Sequence, residues 1–200
     1  MFFRKKDPKT EFWNWFVKNK SKIEGFIDTK HSDYSIFQEL TKRIKKFSPL
    51  LFAEVTKNTN SEYVLIITPD GIKDGIHPTQ ELYDAAPPIE NWVITKFRQP
   101  GAVSHLQFKE LDFTYDDIRI WRIFEVENEL VDIAILIKGY QDEDDRYKAL
   151  AFLYLDRHVG EFNVMTRIRH IDFLGWDQRM EEFEEIDLVT LKEEIAAKLY

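Results

Sequence analysis

The sequence predicts an α+β protein: a mostly antiparallel sheet of five or more strands, with an N-terminal helical hairpin and further helices packed on it. Three observations predict this. Apolar residues recur at helical spacing up to Phe47, and from Leu50 onward short runs of β-formers alternate with turn residues. The breaks at 58–61 and 127–129 have hairpin length, which parallel neighbours cannot use.

Asp7-Pro8 is a helix start, a capping carboxylate followed by proline in the first turn, and Phe12, Phe16, Ile23 and Ile27 follow at near-helical spacing, giving a helix over 8–28. Asp33 can cap a second helix, with Ile36, Phe37, Leu40, Ile44 and Phe47 as its apolar stripe and Ser48-Pro49 as its end. Strands are expected over 50–57, 63–68 and 91–98, with Pro69-Asp70-Gly71 as a turn. Between the last two, 78–86 reads as a short crossover helix closed by Pro87-Pro88. Runs 118–126 and 130–138 form a second hairpin. Asp142 to Asp145 then open a helix that ends before Gly160, 163–173 is a strand, and Leu188, Leu191, Ile195 and Leu199 mark a last helix with Thr190 and Glu193 at capping-box spacing.

No Gly-, Ser- or Pro-rich linker divides the 200 residues, so a single domain over 1–200 is expected, with 99–103 as the place for a sub-domain boundary. The order β-β-α-β occurs twice. At 24.0 kDa, about 70% of the unfolded surface can be buried, enough for a core without staples.

The chain contains no cysteine, which excludes disulfides, thiolate metal sites and a cysteine nucleophile. Its seven glycines never adopt G-x-G-x-x-G or phosphate-loop spacing, and no G-x-S-x-G elbow occurs. The five histidines, at 31, 77, 105, 158 and 170, form no H-x-H or H-E-x-x-H pair, so no metal or cofactor is expected. The candidate catalytic group is Asp156, His158 and Glu161, joined by His170 and Asp172 on the next strand, because imidazole and carboxylates together supply an acid and a base or hold a divalent ion. The structural reading, a helix C-terminus with Gly160 as a left-handed cap and Glu161 held by Arg157, Arg167 or Arg169, is preferred.

Phe12, Trp13, Trp15 and Phe16 cover more than half of a helix circumference, so they do not all face one core. Either the helix is clasped on two sides, or Trp13 or Trp15 lies on a patch that receives a partner. Trp92 is a further candidate binding residue.

The net charge of −8 is unevenly spread, with 12 basic and 6 acidic side chains in residues 1–50. Lys42, Arg43, Lys45 and Lys46 make a basic cluster, but an acidic protein of pI 5.2 lacks the balance of a nucleic-acid binder, and nucleic acid is not expected as partner. Head-to-tail association between basic and acidic ends accounts for the asymmetry and makes a homo-oligomer an open expectation. No apolar run has the roughly 20 residues that span a bilayer, and Met1-Phe2-Phe3 precedes Arg4-Lys5-Lys6, the reverse of a secretory signal. Neither a membrane nor secretion is expected; the compartment expected is the cytoplasm.

Trp13-Asn14-Trp15-Phe16, Leu65 to Gly71, Ala86 to Trp92 running into Lys96-Phe97-Arg98, and Tyr154-Leu155-Asp156 to Gly160-Glu161 together resemble an uncharacterised bacterial domain family of unknown function. The resemblance covers about residues 10–175, implies no activity, and singles out Trp92, Asp156, Gly160 and Glu161. The function expected is therefore a non-catalytic binding or protein-interaction protein of bacterial type, its partner an unidentified protein or small molecule. The alternative is a hydrolase using Asp156, His158 and Glu161, with or without a divalent metal.

Overall fold

The computed structural model describes residues 7–29, 33–101, 105–123, 130–178 and 183–197. The chain divides into two compact units at Arg98/Gln99. The first carries 16 basic and 13 acidic side chains and the second 12 and 23, so one unit is weakly cationic and the other strongly anionic. Among the described residues, no helix is long and apolar enough to cross a membrane.

In the first unit, α1 (Pro8–Asp28) begins at the Asp7-Pro8 signal, where the missing proline N–H removes a donor that would be orphaned anyway. Helix α2 (Ser35–Phe47) follows, with Asp33 acting one position before the cap: its Oδ1 accepts the Ser35 N–H at 2.9 Å, and Tyr34 stands at the cap itself. Strands β1 (Phe52–Lys57) and β2 (Tyr63–Thr68) pair antiparallel, with Phe52 opposite Thr68, and the Asn58 side chain closes their turn by accepting from the Asn60 and Glu62 N–H groups. Helix α3 (Ile76–Asp84) crosses over to β3 (Trp92–Lys96), which lies parallel to β2. The core of the unit joins Phe12, Trp13, Phe16 and Ile23 of α1 to Leu40 and Ile44 of α2, Leu65 and Ile67 of β2, and Leu82 of α3.

In the second unit, β4 (His105–Phe108) and β5 (Leu111–Thr114) form a two-stranded sheet. A four-stranded sheet is built from β6 (Ile118–Ile123), β7 (Val131–Ile137), β8 (Ile168–Gly175) and β9 (Phe183–Ile186) in the order β8-β7-β6-β9. Helices α4 (Asp145–Val159), α5 (Glu161–Arg167) and α6 (Leu188–Ala197) complete the unit. Strand β7 is buried along its whole length; its inward Val131, Ile133, Ile135 and Ile137 share one core with Leu150 and Tyr154 of α4 and Leu191 and Ile195 of α6.

The α+β class, the helical hairpin and the dominance of antiparallel pairing stand as the sequence predicts. The single sheet of five or more strands does not: the described strands form three sheets, and β2/β3 and β7/β8 run parallel because a helix intervenes in each case. Residues 161–167 are helical, contrary to the strand expected from 163. Asn163 Nδ2 donates to the Val159 carbonyl and Thr166 Oγ1 to that of Phe162, holding a turn that side-chain alternation alone does not reveal. Asp187, and not the Thr190–Glu193 pair, caps α6, its Oδ1 accepting the Thr190 N–H at 2.7 Å. Strand β9 is hidden in an acidic run, where Glu184 and Glu185 face Arg122 and Trp121 across the sheet and pair with Arg122 and Arg119. The connection at 127–129 lies outside the described residues.

Both units repeat one pattern. An antiparallel hairpin is followed by a helical crossover and a strand parallel to the hairpin's second member, β1-β2-α3-β3 in the first and β6-β7-α4-α5-β8 in the second.

Candidate functional site

The expected catalytic group lies at the junction of α4 and α5. Gly160, at φ 91° and ψ 134°, separates the helices with a positive φ but an extended ψ, so it is not the left-handed cap expected. Its N–H donates to the Asp156 carbonyl and its carbonyl accepts from Val164, so the chain leaves one helix and enters the next without a gap. The Asp156 carboxylate is held in the last turn of α4 at 3% exposure, and Glu161, first in α5, is wholly buried. The His158 ring is half-buried against Tyr154, with centroids 4.5 Å apart.

His170 and Asp172 hydrogen-bond to each other at 3.0 Å on β8, where both are well exposed. Among the described residues, no group of three or more His, Asp or Glu side chains is disposed to hold a metal ion.

Arg169, one of three cations offered for Glu161, is forked onto Asp132, its Nε donating to Oδ1 at 2.9 Å and its Nη2 to Oδ2. That hydrogen bond holds the Asp132 carboxyl below its ordinary range, against the opposing effect of burial. A carboxylate with a depressed native pKa adds stability above its unfolded value near 4 and loses it as pH falls through the native one. Acid titration of unfolding is expected to show Asp132→Asn losing less stability than wild type between about pH 5 and pH 2. Parallel curves would show that the fork contributes nothing.

The tryptophans separate cleanly. Trp13 is buried, its Nε1 donating to the Leu82 carbonyl at 2.9 Å. Trp92 is buried between the edge of Phe16, at 4.9 Å, and a stacked Tyr63, at 5.4 Å, and donates to Glu24 Oε1 at 2.8 Å. These two are core pillars with satisfied N–H groups. Trp15 is half-buried and forms one wall of a groove of about 690 Å³ between α1 and α2.

Phe26 and Ile36 lie in the same groove, Lys22 and Glu39 line it, and Gly25 leaves it open: a Cβ built there meets no atom within 4 Å. Arg43 stacks over Trp15 at 5.6 Å and donates to Glu39 Oε1 at 2.7 Å. Residues 15, 19, 22 and 26 fall on one helical stripe, as do 35, 36 and 39, which is why the two helices share this concavity.

The basic cluster on α2 is not a uniform cationic face. Lys45 lies over the Phe52 ring and donates to the Pro49 carbonyl, and its desolvation lowers its pKa. Lys46 pairs with Glu11 at 3.1 Å and Arg43 with Glu39, which leaves Lys42 as the member of the cluster with no side-chain hydrogen bond, ion pair or ring contact among the described residues.

A second cleft, of about 570 Å³, sits where β9 ends beside β6. Among its polar groups, Arg119 lies on Trp176 at 4.2 Å and 3.7 Å from Glu185, and Asp187 caps α6.

Compared with protein-family models, curated proteins and solved structures, the chain matches none.

Proposed function

We propose that this is a non-catalytic binding protein whose contact surface is the α1–α2 groove of the first unit. One observation carries the reading: Gly25 stands in a 21-residue helix, exposed and with open space where a side chain would be, in the same groove as the half-buried Trp15. Glycine inside a helix costs roughly 0.5–1 kcal/mol relative to alanine, so the residue that opens the groove lowers the stability of its own helix.

Gly25→Ala is accordingly expected to raise stability by about that amount, and Gly25→Phe to fill the groove. The test is an NMR titration of the 15N-labelled chain with N-acetyl-leucine amide. Shifts are expected for the amides of residues 15–29 and 35–39 in wild type, and none in Gly25→Phe. A wild-type titration that leaves those amides unmoved overturns the reading. The cytoplasm, a bacterial origin and a partner other than nucleic acid belong to the same proposal; the dispersal of the α2 cations into internal contacts supports the last.

The hydrolase alternative retains one supporting observation, two buried carboxylates, Asp156 and Glu161, flanking Gly160. A panel of divalent ions, added to wild type and to Glu161→Gln, is expected to leave both melting temperatures unmoved. A specific ion-induced rise in wild type, lost in the variant, would favour the hydrolase.

A further inference from the structure

Resting on the reading of the groove as the contact surface, we infer that its occupant is an acidic polypeptide segment that places one aliphatic or aromatic side chain in the space over Gly25. Lys22 lines the groove, and two further lysines lie on the same helix faces. Helical spacing puts Lys18, Lys22 and Gly25 on one stripe of α1, and Lys42 one turn on from Glu39 and two from Ser35 on α2. All three are exposed, and none forms an ion pair with a described residue.

The carboxylates nearby are engaged within the fold. Glu39 is held by Arg43 at 2.7 Å, Asp33 accepts the Ser35 N–H, and Asp28 is paired with Lys57 and accepts from the Tyr63 hydroxyl. Three lysines against Asp33, the groove carboxylate with no cationic partner among the described residues, leave a positive balance on this side, while the interior offers Trp15, Phe26 and Ile36. A ligand that satisfies both must carry negative charge and an apolar anchor. Acidic polypeptide does so, its anchors spaced at i and i+4 on a short helix laid along the groove. A nucleic acid satisfies the charge but offers planar, polar-edged bases in place of an aliphatic or phenyl side chain, and the DNA arm of the test separates the two.

The experiment uses the full chain and four fluorescein-labelled probes. They are a 12-residue Glu-rich peptide with Leu and Phe at i and i+4, the same peptide with Ala at both anchors, the same peptide with Lys for Glu, and a 12-nucleotide single-stranded DNA. Anisotropy at 50 mM salt is expected to show the anchored acidic peptide binding at least tenfold tighter than the other three, with affinity falling as salt rises. Gly25→Phe and the double variant Lys18→Glu, Lys22→Glu are each expected to weaken it at least tenfold, and Gly25→Ala, which serves as the folding control, to weaken it far less.

Equal binding of the acidic and basic anchored peptides, abolished by Gly25→Phe, overturns the acidic occupant and leaves the groove reading intact. Tightest binding of the DNA, or self-association in sedimentation that Gly25→Phe abolishes, also overturns the acidic occupant, the latter in favour of a second copy of this chain. Binding indifferent to Gly25→Phe, or no peptide binding at all, overturns both.

Discussion

Phe16→Ala is expected to destabilise the first unit by about 3–5 kcal/mol, the usual cost of deleting a fully buried aromatic ring. Phe16 has no exposed surface and is the hub of the aromatic cluster: it stacks on Phe12 at 6.2 Å and meets the edges of Trp13 and Trp92 at 5.7 and 4.9 Å. Three faces of the cavity left behind would be rigid rings, which collapse poorly into empty space, so the cost lies toward the upper end. Denaturant titration followed by tryptophan fluorescence reads the change, because Trp13 and Trp92 report from the same cluster. A midpoint within error of wild type would mean that this face of α1 is not core, and the groove reading, which assigns only Trp15 to the surface, would fall with it.

Gly160→Ala is expected to cost at least about 1–3 kcal/mol from the backbone alone, since a φ of 91° with an extended ψ is a conformation that L side chains rarely adopt. The new Cβ would also stand 3.0 Å from both Cδ and Cγ of Pro100, whose ring cannot rotate aside. Gly101→Ala is the control, one residue beyond that proline, exposed and with nothing within 4 Å of a Cβ; it should stay within about 0.5 kcal/mol of wild type. Because Gly160 sets the angle at which Glu161 enters the interior, the variant is also expected to speed hydrogen exchange at the amides of α5. Equal melting temperatures for the two variants would refute the strained junction.

Much of the first unit is legible in the sequence because its signals are local. Asp7-Pro8 fixes the start of α1, the Tyr63–Thr68 run has the bounds of β2, and the Asn58 turn is written in its own side chain. The second unit is harder to read, since its decisive contacts are distant. Glu184 and Glu185 look like a solvated run until β6 supplies Arg122 and Arg119, and the helical start at Glu161 depends on a glycine conformation with no sequence signature beyond the glycine itself. The candidate site divides in the same way. That four aromatics cannot share one core face follows from helix geometry, but only packing decides that Trp13 turns inward to Leu82 and Trp15 outward. Asp156 and Glu161 stand out as acids near a glycine, whereas their burial is a property of the finished fold.

The two interiors have no residue in common: every member of one core cluster precedes Arg98, and every member of the other follows Gln99. Each repeats a hairpin that closes over a short stretch of chain and a third strand that must wait for its crossover helix. On a ribosome, which releases roughly 5–20 residues each second, the first 98 residues can complete all of their core contacts while the second unit is still being made. The aromatic cluster around Phe16 is thus assembled early. The anionic half of the chain, with its 23 carboxylates, is synthesised after residues 1–98, when that cluster can already be enclosed.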